Sequence, residues 1–379
     1  MSNNYDAIVL GGGAFGSASA YFLAKSGQRV LLLEQFEFDH QKGSSHGHSR
    51  IIRYAYDHPQ YVELAKAAYP MWRELEREAD EQLYVQTGGI DFGPGGTESL
   101  QTIITTLGTA NISHEILDAS EATYRFPQFR FDDDSVILFQ QETGILSASR
   151  CVLAHLRLAE RYGATLVSGA PVSAVQTFTD GVIVKTNDET YSASKLIITA
   201  GSWAKSILRQ LNLELPLTIA RCQEMYFNAV NLDEYAPNRF PAFIAHLKSQ
   251  FGRMPYGIAS HHDSGVKICW HGGNLYNHPS EINYQPDSND ILNMQSKFIS
   301  HYLPELTGHR SSRVCLYTMT PDEHWIIDKH PEFPHVIIGG GGSGHAFKFS
   351  NLIGKILADL ALKGNTDYDI SLFRVSRFQ

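Results

Sequence analysis

Near its start the chain runs Ala7-Ile8-Val9-Leu10 directly into Gly11-Gly12-Gly13-Ala14-Phe15-Gly16, and a second apolar run over 29–33 ends on Glu34. These residue types at this spacing suit a dinucleotide. Gly11 allows the tight turn, Gly13 lets the backbone approach a pyrophosphate, and Gly16 lets a helix pack close to a sheet. The N–H groups that open the helix, around Ala14 and Phe15, carry a partial positive charge toward the phosphates. Glu34, about 20 residues beyond the glycines, puts a carboxylate where it can hold the ribose hydroxyls of an adenosine, with Gln35 beside it. The motif alone does not distinguish FAD from NAD.

A second glycine cluster near the far end decides between them. Val336-Ile337-Ile338 runs into Gly339-Gly340-Gly341-Gly342-Ser343-Gly344, and a helical pattern follows over 350–362. A nicotinamide-binding unit needs no such late strand and turn. The isoalloxazine of FAD does, because it lies far from the adenosine pocket and requires its own backbone cradle.

The elements that position these turns follow from periodicity. Residues 1–35 read as strand, helix, strand. Residues 61–79 read as a helix, with Val62, Ala65, Tyr69, Trp72 and Leu75 near a 3.6-residue period and Pro70 as a kink. A further helix is expected over 145–162, then strands over 164–167, 172–175 and 182–185. Residues 196–203 form an apolar strand ending in a glycine turn at Gly201 and Trp203, which returns the chain to the cofactor together with Val172. From 216 to 270 the texture becomes extended, with strands over 224–229, 240–245 and 265–270. The expected architecture is therefore mixed α/β. A discontinuous Rossmann-like FAD domain (1–85, 145–215, 315–379) is interleaved with a β-rich substrate domain (86–144, 216–314).

The bulk composition excludes several classes. At 379 residues, two domains are the natural expectation. A hydrophobic fraction of 43% with 19% charged residues is that of a globular protein, and a net charge of −9 argues against nucleic acid. No run approaches a membrane span, and no basic segment precedes an apolar one at the N-terminus as in a signal peptide. Cys151, Cys222, Cys269 and Cys315 are scattered without a C-x-x-C, which suits a reducing cytoplasm and argues against a metal site. The terminal Ser376-Arg377-Phe378-Gln379 is not a peroxisomal address of the S-K-L type.

Three further blocks carry a resemblance: Gly43-Ser44-Ser45-His46-Gly47-His48-Ser49-Arg50-Ile51-Ile52-Arg53; Tyr256, Lys267 and His271; and Cys315-Leu316-Tyr317-Thr318-Met319-Thr320-Pro321-Asp322-Glu323-His324, continuing through Ser343-Gly344-His345-Ala346-Phe347-Lys348-Phe349. With the opening glycines, they resemble the monomeric sarcosine oxidase family, which includes N-methyltryptophan and pipecolate oxidases, over essentially the whole chain. The resemblance implies a D-amino-acid-oxidase-type fold and FAD joined by a thioether to Cys315. It implies that Arg50 lies against one flavin face with His46 and Ser49 in the loop beneath the ring, and that Ser44, Ser45, Gly342, Gly344, His345 and Lys348 also bind the cofactor. Arg53 and Lys348 would clamp the substrate carboxylate, the arginine as a planar fork and the lysine as a point charge. Tyr256 and Tyr317 would wall the cavity, and His271 would stand near the amine or carboxylate. Lys267 would sit beside flavin N5, where a fixed cation stabilises the anion formed as oxygen is reduced.

Without the resemblance these residues carry plainer readings: Cys315 a small buried hydrophobe, Lys348 a solvent-seeking lysine, Lys267 an outward strand residue, the tyrosines core. The chain also departs from the family. It has His48 where an acidic or amide residue is common and Ala346 where glycine is common. The stretch Arg221-Cys222-Gln223-Glu224-Met225 matches poorly and is expected to line the substrate cavity. The implied activity is oxidation of a secondary amino acid (sarcosine, another N-methyl amino acid or pipecolate) to an imine, with oxygen reduced to hydrogen peroxide by a monomeric enzyme. The alternatives are a dehydrogenase with another acceptor, an oxidase of glycated amino acids, and a silent flavin-binding protein.

Overall fold

A computed structural model describes residues 3–262 and 264–378; Gln379, the last residue of the terminal segment above, lies outside them. Its centre is an eight-stranded sheet built around the first strand, Asn4–Leu10, whose neighbours Val30–Leu33 and Thr190–Ile198 both run parallel to it. Val336–Gly340 extends this parallel core on the far side of Thr190–Ile198. Ile8, Val9, Leu31, Leu32, Leu196, Ile197, Val336 and Ile337 are all fully buried, which is why these strands read as unbroken apolar runs: helices cover the sheet. The glycine-bearing ends of Asn4–Leu10 and Val336–Gly340 therefore open at the same C-terminal edge, one strand apart, where ligands of parallel sheets bind.

The covering helices are Ala14–Lys25, Ala148–Arg161 and Ser350–Lys363. The first packs against the other two through a surface of Ala, Ser and Gly, so the backbones approach closely. Pro59–Ala79 is a continuous helix through Pro70; it begins two residues earlier than its apolar period suggests, because Pro59 takes the first turn and the His58 side chain caps Gln60 N at 3.2 Å.

The helix expected from 145 begins at Ala148 instead. Gly144–Leu146 is a strand paired on both edges, with Arg50–Ile52 and with Tyr84–Gln86. Its wholly buried, unalternating triplet looks the same as a helix start in sequence. This small sheet has a functional consequence, because it fixes the backbone of Arg50.

A second, nine-stranded sheet carries most of the remaining candidate residues. Its long antiparallel pair, Thr218–Ala229 and Leu306–Met319, sets Cys222 opposite Cys315. Val266–His271 pairs with Met254–Ile258, setting Tyr256 opposite Cys269. Leu306–Met319 passes through residue 315 without interruption.

Candidate active site

The cavity starts at the two glycine turns. Gly11 has φ +99°, and a Cβ there would lie 2.6 Å from the Thr199 carbonyl. At Gly16 a Cβ would fall 1.8 Å from the Gly11 carbonyl oxygen, so any side chain would push the helix off the strand. Glu34 is buried at the tip of its strand. Its two oxygens accept from Gly12 N at 2.8 Å and Phe36 N at 2.9 Å, which ties the glycine turn to the next loop and leaves lone pairs for a further donor. Ser45 Oγ accepts from Ala14 N at 2.9 Å.

From there one continuous cavity runs past Gln35, Val172, Gly201 and Trp203 to Ser44, His46, Arg50, Tyr317, Gly342, Gly344 and Phe347. Gly13, Ala14, Phe15 and Ser45 also line it. Gly16, Ser49, Cys315, His345 and Lys348 do not line it. Gly16 serves helix packing, and Ser49 acts through its carbonyl. The His345 ring turns away, toward Tyr56, Tyr61 and Trp325, with Nε2 3.0 Å from the Glu323 carbonyl. Both ring nitrogens of buried His46 lack partners among the described residues, on the cavity wall. A long groove with close-approach glycines at one end, and an unsatisfied imidazole and a guanidinium at the other, fits an extended dinucleotide carrying a polar ring system.

Beyond Tyr317 and Gly344 a second group of side chains converges. The Tyr256 and Tyr317 hydroxyls are 3.5 Å apart, and the His271 and Tyr317 ring centroids 5.5 Å. Gly344 has φ +77°, and a Cβ there would meet both Tyr317 and His271. Lys348 Nζ donates to the Tyr56 hydroxyl and to the His345 carbonyl, each at 2.7 Å, while Arg53 and Lys348 both lie against the Tyr56 ring. Lys348 is 7% exposed and has no carboxylate partner among the described residues. Burial, and then the Arg53 charge, hold its ammonium well below the ordinary lysine range. Burial, with Lys348 and Arg53 behind it, likewise pushes His271 down to about 4, so its ring is neutral near neutral pH.

This arrangement predicts a pH effect. An anion between Arg53 and Lys348 favours the protonated ammonium. The dissociation constant of acetate is therefore flat below the lowered Lys348 value. It rises by up to about tenfold per pH unit above that value, until the anion-bound lysine itself titrates. Titrating acetate against the cofactor's absorbance at several pH values reads this directly. A constant affinity up to the ordinary lysine value of 10.5 would remove Lys348 from the anion site.

Lys267 is not an outward strand residue; it is 1% exposed. Its Nζ donates to Glu224 Oε1 at 2.8 Å and to the Ser49 carbonyl at 3.2 Å. Arg50 reaches the same carboxylate oxygen at 2.8 Å and also donates to the Ser44, His46 and Ser49 carbonyls, pinning the loop beneath the cavity. The Cys315 thiol adjoins this cluster. Burial pushes it up to about 12, with Glu224 adding to the rise and Arg50 and Lys267 opposing it.

Sequence reasoning missed Glu224, and its expectation for that stretch needs correcting. Glu224 lies with Lys267 and Arg50 rather than with Arg53 and Lys348, and Arg221 is spent on the Asn283 and Gln285 carbonyls at an exposed edge. Asp91 was missed as well. It is paired with Arg53 at 3.0 Å and with His246 Nε2 at 3.0 Å. Tyr56, the platform for both cations, also went unread. The signal for both acids was present: a carboxylate inside an otherwise buried strand needs a cation.

The family model described as FAD dependent oxidoreductase (DAO) matches residues 6–360. The chain is 36% identical over its full length to monomeric sarcosine oxidase of a Bacillus species, covering 98% of it. It is 38% identical to peroxisomal sarcosine oxidase of Mus musculus (99% of this chain, 96% of that one). It is also 33% identical to N-methyl-L-tryptophan oxidase of Salmonella agona (99% of each). Among solved structures, NikD, an amino acid oxidase of nikkomycin biosynthesis, superimposes with a TM-score of 0.87 at 26% identity, over 98% of this chain and 97% of that one. With glycine turns, groove and relatives in agreement, the chain belongs to the DAO family of FAD-dependent oxidoreductases and is an enzyme of that class.

Proposed function

We propose that the chain is an oxidase of a secondary amino acid: sarcosine, another N-methyl amino acid or pipecolate. The observation that carries this reading is Lys348, a buried ammonium without a carboxylate partner among the described residues, set beside Arg53 at the end of the FAD groove. Burying an unpaired charge is costly, and an incoming carboxylate repays the cost.

FAD would supply the electron acceptor: a hydride equivalent would leave the carbon next to nitrogen as the C–N bond becomes an imine, and the electron pair would pass on to oxygen with two protons to give hydrogen peroxide. The chain supplies everything around that exchange. Arg53 and Lys348 hold the carboxylate, and Tyr256 and Tyr317 face the amine with ring surface and hydroxyl. Neutral His271 offers a ring nitrogen without adding a further positive charge against the amine. The buried position of Lys267 suits a cation for the oxygen step. Relatives in the family, those of Bacillus and Mus musculus among them, are named sarcosine oxidase, which supports the substrate class. We further infer a monomer, the two-domain division set out from the sequence, and a reducing compartment such as the cytoplasm, consistent with four free buried cysteines.

A panel of sarcosine, N-methyl amino acids, pipecolate and proline, assayed for peroxide release against the matching amines without a carboxylate, tests the reading. Peroxide from at least one amino acid and little from its decarboxylated analogue is the expected result. Bleaching of the flavin by substrate without peroxide would favour the dehydrogenase alternative.

Covalent attachment through Cys315 is the remaining proposal. A thioether requires the thiolate as nucleophile; burial and Glu224 disfavour it in the protein, and Arg50 and Lys267, which oppose them, are the groups that support attachment. Acid-precipitated protein is expected to stay yellow and carry the mass of FAD, and Cys315→Ala to release the colour into the supernatant. Complete release from the wild type would exclude attachment.

A further inference from the structure

Glu224 stands out because no role is left for it once the substrate clamp and the oxygen-side cation are assigned. It is 1% exposed. Its Oε1 takes both Arg50 and Lys267 at 2.8 Å; its Oε2 accepts from the Tyr226 hydroxyl at 3.0 Å and has Arg313 Nε 3.9 Å away. Strand register explains the pairing. Tyr226 lies opposite Lys267, so Glu224 is the diagonal neighbour of Lys267 on the same face. Among the described residues Glu224 is the only carboxylate in salt-bridge range of Lys267 or Arg50. Burial alone would raise its carboxyl; Lys267 and Arg50 outweigh that and hold it below the usual carboxylate range, so it is ionised. The nearby imidazoles add no charge: burial pushes His46 down to about 4, and lowers His48, to which Arg313 donates. Arg313 is the outer member of the cluster, its side chain 24% exposed on a second cavity that shares the His46 wall with the FAD groove.

We propose that Glu224 is a positioning residue that fixes Lys267 and Arg50 at the flavin and cancels one unit of their positive charge, with Arg313 returning part of it from outside. The proposal rests on the reading that Lys267 and Arg50 face the isoalloxazine. Glu224 accepts from both cations through one oxygen and so holds each in one place; the same carboxylate weakens the field available to an electron-rich flavin. The enzyme thus trades oxidising strength for a cation held in one place.

Sulfite tests this without substrate or turnover. Its sulfur lone pair forms a bond to oxidised flavin, the ring takes up the electron pair and negative charge, and the visible absorbance is lost. The sulfite dissociation constant and the midpoint potential of the holoenzyme therefore report the local charge. Glu224→Gln keeps the shape and removes the charge. It is expected to tighten sulfite binding on the order of tenfold or more, the scale of one unit charge at an effective dielectric of about 20, and to raise the potential. Glu224→Asp stays near the wild type. Arg313→Gln moves both readouts the opposite way, weakening sulfite at least about threefold, and decides the matter if Glu224→Gln fails to fold. Unchanged or weakened sulfite binding in Glu224→Gln, or unchanged binding in Arg313→Gln, overturns the proposal. Lys267→Met separates this from its premise. If that variant leaves sulfite affinity untouched, the placement of Lys267 is wrong. If it weakens sulfite while Glu224→Gln changes nothing, only the role of Glu224 falls.

Discussion

Replacing Lys267 with Met is expected to slow flavin reoxidation by air on the order of 100–1000-fold, while anaerobic reduction by substrate stays near the wild-type rate. The size follows from removing one preorganised charge from a water-excluded site, about 3–4 kcal/mol of barrier. Lys267 is held by Glu224 and the Ser49 carbonyl, so its ammonium does not have to reorganise when charge develops on oxygen. Stopped-flow absorbance times the two half-reactions separately. Slow reduction with unchanged reoxidation would move Lys267 to the substrate side and reopen the dehydrogenase reading.

Arg53→Met and Lys348→Met are each expected to cost carboxylate substrates about 2–5 kcal/mol in kcat/KM, the scale for truncating one partner of a buried charge pair. Amines without a carboxylate should lose far less. The contrast between the two substrate types matters because each cation also has a structural partner. Arg53→Met leaves buried Asp91 with His246 alone, and Lys348→Met leaves the Tyr56 hydroxyl without its donor. A structural loss falls on both substrate types equally, whereas a lost clamp falls on the carboxylates. Equal losses would remove the clamp from the account.

The parts of this molecule that were legible in the sequence are those where one local rule decides. The apolar strands, the glycine turns and Glu34 follow from period, conformational freedom and spacing, each decided within a short stretch of chain. The start at 145 was not legible, because three buried residues carry no period and only the partners Arg50–Ile52 and Tyr84–Gln86 make Gly144–Leu146 a strand. The candidate site divides the same way. Arg53, Lys267, His271, Tyr317 and Lys348 were readable through motif blocks. Asp91 and Glu224, as carboxylates in buried strands, signal a need for cations, but which cation each takes was not legible, because they meet Arg53 and Lys267 only through tertiary packing. Lys267 was even consistent with an outward position by alternation. A buried lysine and a buried glutamate each look misplaced in a strand until the two are seen together.

On the proposed reading, buried Lys348 and Arg53 seat the carboxylate of a secondary amine that the enzyme oxidises at the expense of oxygen. One single-turnover measurement tests it most directly. The holoenzyme is mixed without air with one equivalent of an N-methyl amino acid, and in parallel with its decarboxylated amine; air is then admitted and peroxide counted. Rapid bleaching by the amino acid alone is expected, then recovery of the yellow colour with about one peroxide per flavin. Equal bleaching by both compounds, or recovery without peroxide, would contradict it.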